Sequence, residues 1–343
     1  MNTKLGKQSF LIGVPPVIIS SAAVVGAKEG EGPLSADFDM IVSDDKMGKK
    51  SWDLAESAFL KTAMELAVKK AGLAENEIDC VLSGDLQNQC AAAHYGLRDT
   101  NVPFFGLYGA CSTMTESLAV GSLLMSGGGF SKIVCGTSSH FCSAEKQFRN
   151  PLEYGGQRAP SAQWTVTGSG AAVIASSGKG PYITHVTVGR IVDKGIKDLN
   201  NMGAAMAPAA IDTLTAHFAD TGFMPSDYDL ILTGDLGTVG SDILCELSAR
   251  LGYDIYGRHN DCGKMIYDIE SQDAHAGGSG CGCCASVLCS HVLKEMKRGK
   301  YRRILVMATG ALMNTTTVQQ GESIPAIAHA VTITAGGEAD DVS

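Results

Sequence analysis

The sequence predicts an α/β protein of two similar halves, each a mixed, mostly parallel sheet layered with helices. Three observations predict it. The stretch 78–86, IDCVLSGDL, lies over 228–236, YDLILTGDL, with Asp, Leu, Gly, Asp and Leu coinciding and no gap. At a larger offset, 109–139 lies over 280–310, again without a gap. Each copy reads as glycine and small residues, an apolar helix, a Gly-containing turn and then a strand. Such alternation of strand and helix argues for sheets covered on both faces. The composition agrees: of 343 residues, 45% are hydrophobic, only 18% are charged and 41 are glycine. That suits a compact chain with tight turns rather than a disordered one, long enough for a double domain.

From the N-terminus, Lys4 and Lys7 precede FLIGVPPVIISSAAVVGA, which superficially resembles a signal peptide. Gly13, Pro15 and Pro16 break the apolar run, and Ser20 and Ser21 break it again, so an irregular entry into a buried strand is expected instead. No stretch approaches the roughly 20 apolar residues that span a bilayer. IDCVLSGDL follows as a buried strand ending at a Gly-Asp turn. Its Asp85, and Asp235 in the second copy, are expected to bond backbone amides at turns rather than to bind calcium, since no loop gathers several acidic ligands. GACSTMTESLAVG then opens a buried helix at Cys111, and SKIVCGTSS reads as the next strand. A polar, Gly-rich segment at about 142–168 is expected to be a long functional loop. The joint falls in the Gly/Ser turn Ser176–Gly180, giving halves 1–178 and 179–343. The change of offset implies an insertion in the second half around 257–276.

The formal net charge is −9 and no Lys/Arg-rich run occurs. This excludes nucleic acid, and binding to anionic lipid by charge alone. Eleven cysteines without a regular framework point to reduced thiols. The run Cys281–Cys284, CGCC, lacks a second ligand pair, so helix packing by small residues is expected there rather than zinc. No cofactor and no resident metal are expected.

Cys111 carries the chemistry. A helix N-terminus presents free N–H groups and about half a positive charge, which would favour a thiolate. The same amides could hold an oxyanion. The alternative is a small buried hydrophobe.

The duplicated unit, the cysteine opening a buried helix in the first copy, and the strand TVTGSGAAVIA together resemble the thiolase-like superfamily of thiolases and ketoacyl synthases. The resemblance covers nearly the whole chain. It implies a duplicated αβαβα fold and places Cys111 at the acyl-accepting cysteine. It also implies catalytic partners that are missing here. Gly234 stands where the synthases carry histidine. His275 falls one residue out of register with the thiolase histidine, where Ala274 sits. Met307 stands at the second thiolase cysteine. A thiolate without a proton shuttle cannot run a Claisen condensation efficiently, so the expectation is a binding pocket rather than an enzyme.

Within the superfamily the chain is most similar to the stage V sporulation protein AD family of spore-forming Firmicutes. KEGEGPL, FGLYGACSTMTESLA, SAEKQFRNPLEYGGQ, DYDLILTGDLGTVGS, HNDCGKMIYD and ESIPAIAHAV carry this resemblance. It implies a non-enzymatic protein that binds dipicolinic acid, chelated to calcium, for loading into the spore; the alternatives are an acyltransferase with Cys111 as nucleophile and a scaffold for spore membrane proteins that binds no ligand. It implies as partners small membrane proteins of the same operon, and hence peripheral association with the spore inner membrane through them. Thiolase-like proteins pair through the edge of a central sheet, so a homodimer is expected by analogy.

A pocket for a flat pyridine dicarboxylate needs anion donors at two ends and an apolar slot between. The helix start at Cys111 and Ser112 supplies backbone N–H groups for one carboxylate. Arg149 and Arg158, on the long loop, are candidates for the other; the alternative for both is pairing with Glu145 or Glu153. His140 follows the strand KIVCGTSS and is a candidate ligand or a core residue. His259 and Asn260 open HNDCG, which resembles the Asn-rich loop of thiolases that faces the same cavity.

Overall fold

The computed structural model describes residues 2–148 and 158–336. The N-terminal segment folds as a small hairpin, Thr3–Leu5 against Ser9–Leu11, before the chain enters the buried strand β1 (Val17–Val25). The first half adds β2 (Cys80–Gly84), β3 (Phe104–Gly106), β4 (Lys132–Ser139) and β5 (Gly168–Ala175). The second half repeats the set with β6 (Tyr182–Thr187), β7 (Leu230–Thr233), β8 (His259–Asp261), β9 (Arg303–Ala311) and β10 (Ala326–Thr334).

The duplication is complete at the level of sheet topology. The first sheet runs β1-β5-β4-β2-β3 and the second β6-β10-β9-β7-β8. In each, the first two pairings are antiparallel and the outer two parallel. The sheets meet edge to edge at the pair Tyr182 and Val17. Parallel strands covered on both faces must be apolar throughout; accordingly every residue of β2 and β7 is buried.

Helices form three layers around these sheets. On the outside of the first lie α1 (Trp52–Lys70) and α2 (Ala91–Leu97). Ser51 caps α1 by accepting the Leu54 amide at 3.3 Å, and Lys69 and Lys70 complement its C-terminal dipole. Between the sheets run α3 (Thr113–Ser126) and α7, which begins at Cys281–Val287 and continues through a π turn at Leu288–Val292 into Leu293–Lys297. On the outside of the second sheet lie α5 (Met202–Thr221) and α6 (Gly237–Arg250). Three apolar clusters fill the intervening spaces: Phe59 and Met64 under α1, Leu118 and Val287 between the sheets, and Leu214 and Leu244 under α5 and α6.

The central helices are buried over most of their surface, and their composition explains how. Each hydroxyl can return a hydrogen bond to its own helix. Ser117 donates to the Met114 carbonyl at 2.8 Å, Ser122 to Leu118 at 2.7 Å, and Ser290 to Ser286 at 2.6 Å. Cys281, Cys283 and Cys284 are all enclosed in α7 as small packing residues.

The segment expected to be a loop at about 142–168 is partly regular. α4 (Phe141–Phe148) occupies its start, and Trp164–Thr165 pairs in parallel with Gly278–Ser279. α4 buries Ser143, Ala144 and Glu145, and Phe141 stacks on Trp164 with ring centroids 4.0 Å apart. Its few apolar residues sit among Ser, Glu, Lys and Gln, which hid the helical period. Within the expected insertion around 257–276, β8 is the counterpart of β3; the added length lies in α6, 14 residues against 7 in α2, and in the short helix Cys262–Met265 with the approach to Gly278.

Candidate functional site

Where the two halves meet above α3, a cavity of about 220 Å³ opens at Cys111. The first half supplies Leu86 and Asn88 after β2, Tyr108, Ala110 and Cys111 before α3, and Ala144 and Phe148 of α4. The second half supplies Met202 at the start of α5, Ser279 before α7, and Ala311 to Asn314 after β9. Thr165 closes one wall. Among the described residues no charged side chain and no histidine lines it.

The turn that presents Cys111 is strained and held. Ala110 has φ +51°, a left-handed conformation that costs a non-glycine residue about 1–3 kcal/mol. Hydroxyls brace it: Ser112 donates to the Gly109 carbonyl at 2.7 Å and Thr113 to the Ala110 carbonyl at 2.6 Å. The second half grips it too. The Cys281 thiol donates to the Ala110 carbonyl at 2.9 Å. Gly310 of β9 passes so close that a Cβ there would stand 2.3 Å from the Gly109 oxygen.

Of the residues expected to form the site, Cys111 lines the cavity. Ser112 lies behind it with its hydroxyl spent on Gly109. His140 is buried against Trp52 and Phe59, and both ring nitrogens face main chain: Nε2 donates to the Asp45 carbonyl at 2.9 Å, and Nδ1 accepts the Cys142 amide at 3.1 Å. Burial holds its pKa below the usual range. Arg158 donates to Glu145 at 3.0 Å and to the Gln163 carbonyl, beside the rings of Phe141 and Trp164. His259 is on the far side of the second sheet, between Thr233 at 2.9 Å and the Cys245 sulfur at 3.4 Å, with burial lowering its pKa to about 4. Asn260 accepts the Asp261 amide through its side-chain oxygen. Arg149 lies outside the described residues, immediately after Phe148 of the cavity wall.

The missing catalytic partners have structural counterparts. Gly234 has no room for a side chain, because a Cβ would stand 2.9 Å from Ala308 Cα. Met307 is buried in the apolar cluster under α5 and α6. His275 has φ +51° and its ring lies 3.4 Å from Asp273, away from the cavity lining.

Buried acids surround the thiols instead. Asp85 accepts the Gln87 and Ala93 amides at 2.8 Å each, as expected of a turn residue. Asp235 departs from that expectation: it is fully buried, and neither carboxyl oxygen has a hydrogen-bond partner among the described residues. Burial first, then Cys284 and Asp261, raise its pKa well above the usual carboxylate range. Asp261 takes the amide-binding role in the second half, accepting from Leu236, Gly237 and Gly263 at 2.9 Å. Burial, then Cys111, Asp85, Asp235 and Glu56, push the Cys281 thiol well above its ordinary pKa.

A duplicated αβαβα arrangement with a cysteine clamped at the head of a central helix is the thiolase-like fold. Solved structures share this fold. Human mitochondrial 3-ketoacyl-CoA thiolase superposes with a TM-score of 0.58 at 13% identity, over 95% of this chain and 100% of that one. For 3-oxoacyl-[acyl-carrier-protein] synthase III of Aquifex aeolicus the TM-score is 0.57 at 12% identity, over 93% and 99%. Cerulenin-bound OleA of Xanthomonas campestris gives 0.59 at 12% identity, over 93% and 96%. Within this class the chain belongs to the stage V sporulation protein AD (SpoVAD) family, whose sequence profile matches residues 6–334. It is 45% identical over 334 residues to stage V sporulation protein AD of Bacillus subtilis (strain 168), covering 97% of this chain and 98% of that protein. No helix among the described residues is long and apolar enough to cross a membrane.

Reading the sequence did not single out Asn88, Tyr108, Met202 or Leu312–Asn314 as cavity residues. Tyr108 stands in the same motif as Cys111. The others line the cavity only because strands far apart in sequence end side by side.

Proposed function

We infer that this protein is a non-enzymatic binding protein for dipicolinic acid, pyridine-2,6-dicarboxylate, taken up with calcium during spore formation. One observation carries the reading: the cavity at Cys111 keeps the enzyme fold's thiol but has no proton shuttle in its described lining. Its volume of about 220 Å³ lies below the roughly 300–1,000 Å³ of sites for drug-sized ligands. That suits a single ring better than a long acyl chain. Ala144, Phe148 and Leu312 offer an apolar slot, and Asn88, Tyr108, Thr165 and Asn314 offer hydrogen bonds. Arg149 follows Phe148 directly and is the cation nearest in sequence to the wall. Calcium arrives with the ligand, since the described residues contain no group of three or more metal-ligating side chains. Small membrane proteins of the same operon hold the protein at the forespore inner membrane, and it works as a homodimer.

Isothermal titration with dipicolinate, with and without calcium, tests the reading. Saturable micromolar or tighter binding, weakened by Arg149→Ala, is expected. No heat in either condition would remove it. The clamped, strained turn at Cys111 favours a second reading, acyl transfer through that thiol. That reading requires a covalent mass increase with acyl-CoA that Cys111→Ala abolishes; the first reading expects no adduct.

A further inference from the structure

Two carboxyls sit one residue behind the cavity wall, in a site no catalytic role explains. Glu56, on α1, is buried and reaches across to three donors. Its Oε2 accepts Gln87 Nε2 at 2.7 Å and Ser143 Oγ at 2.5 Å, and its Oε1 accepts Ser138 Oγ at 3.3 Å. Gln87 stands between the wall residues Leu86 and Asn88, and Ser143 precedes the wall residue Ala144. Asp85 precedes Leu86, buried on its two amide bonds. The carboxyl pair thus underlies two walls of a cavity whose described lining carries no cation.

A dicarboxylate entering such a cavity without calcium meets buried negative charge across a single layer of side chains. In a low-dielectric interior that repulsion is poorly screened. Proton uptake by the pair relieves what Arg149 does not offset. We propose that the Glu56–Asp85 pair couples anion binding to protonation, so that the Cys111 cavity takes a dicarboxylate together with a proton from solvent. This rests on the reading of the cavity as a dicarboxylate site.

The sign follows from the free protein. Burial first, and Asp85 second, hold Glu56 above the usual carboxylate range, and burial raises Asp85 as well. The pair therefore takes up a proton more readily than exposed carboxyls do. A bound anion raises both further, so binding draws in a proton. Affinity then falls as pH rises, because each proton bound with the ligand must be taken from a scarcer supply. The other titratable groups that interact with the pair are His94 of α2, Cys90, Tyr108 of the cavity wall and, from the second half, Cys281.

The test is calorimetric titration of dipicolinate into the whole protein, in phosphate and in Tris, from pH 6.5 to 9. The ligand's own carboxyls are ionised throughout that window. Proton uptake makes the measured heat differ between the two buffers. The affinity should fall by up to about tenfold per pH unit for one proton, and Glu56→Gln should abolish most of both effects. Binding with equal heats in both buffers and a flat pH profile would overturn the proposal while leaving the binding reading intact. Uptake that persists unchanged in Glu56→Gln would also overturn it, by placing the proton elsewhere. If that variant does not fold, Asp85→Asn is read the same way, and the wild-type buffer comparison alone can still overturn the coupling. No heat in either buffer at any pH removes the binding reading, and the coupling with it.

Discussion

At Gly234 one absent Cβ decides which residue the strand end can carry. It is pressed against Ala308 and Cys284, so the position that the resemblance aligns with the synthase histidine has space only for hydrogen. Restoring that residue is therefore a packing error before it is a catalytic gain. Gly234→His should lower stability by at least the 1–3 kcal/mol typical of overpacked cores, read as a lower urea midpoint, with no acyl-enzyme formed on acyl-CoA. Wild-type stability in this variant would mean that the strand end yields readily. At this scale the sequence was readable where a residue type has one use. Cys111 and the lack of partners at Gly234 and Met307 could be found by eye. His140, Arg158 and His259 could not be placed, because each is equally at home bonded inside a core. The sequence does offer Glu145 as one alternative partner for Arg158, and the structure makes that pair; Asp45 and Thr233, which hold His140 and His259, lie 95 and 26 residues away along the chain.

Among the elements, α4 links the cavity to the acids behind it. Its inner face presents Ser143 to Glu56 and Glu145 to Arg158, and its last residue, Phe148, reaches the cavity. The Arg158–Glu145 pair is largely buried, at 17% and 7% side-chain exposure. Removing one member leaves the other charged and desolvated, at a cost of about 3 kcal/mol. Arg158→Ala should therefore destabilise the protein by about that amount in urea unfolding, whereas Arg149→Ala should leave the urea midpoint unchanged and weaken dipicolinate binding. Equal urea midpoints for the two variants would argue against an anchoring role for Arg158. Elements that repeat were legible: the two GDL strands and the two small-residue helices align without gaps and fold alike. α4 has no counterpart in the aligned repeat stretches and is only eight residues long, half of them polar, so it passed for a loop.

Over the whole molecule, the two sheets join into one continuous surface that ends at β3. Nothing among the described residues pairs with the outer side of that strand, and Tyr95, Phe105 and Tyr108 around it are each about half exposed, at 52%, 50% and 53%. An open strand edge flanked by aromatics is a ready site for a second copy across a twofold axis. A dimer in analytical ultracentrifugation, converted to monomer by Phe105→Asp, is the expected result; a wild-type monomer at micromolar concentration would remove the dimer. Tyr108 also lines the cavity, so a partner seated on this edge would stand beside its mouth.

The turn at Gly109–Cys111 has one more consequence. It is gripped by Gly310 and by the Cys281 thiol, both from the later repeat. The pocket therefore belongs to neither repeat. A single repeat would lack part of the lining and part of the grip on the turn. The two repeats also play different parts: Cys111 of the first offers its sulfur to the chamber, whereas Cys281 of the second, which aligns with Ala110, spends its sulfur as a brace.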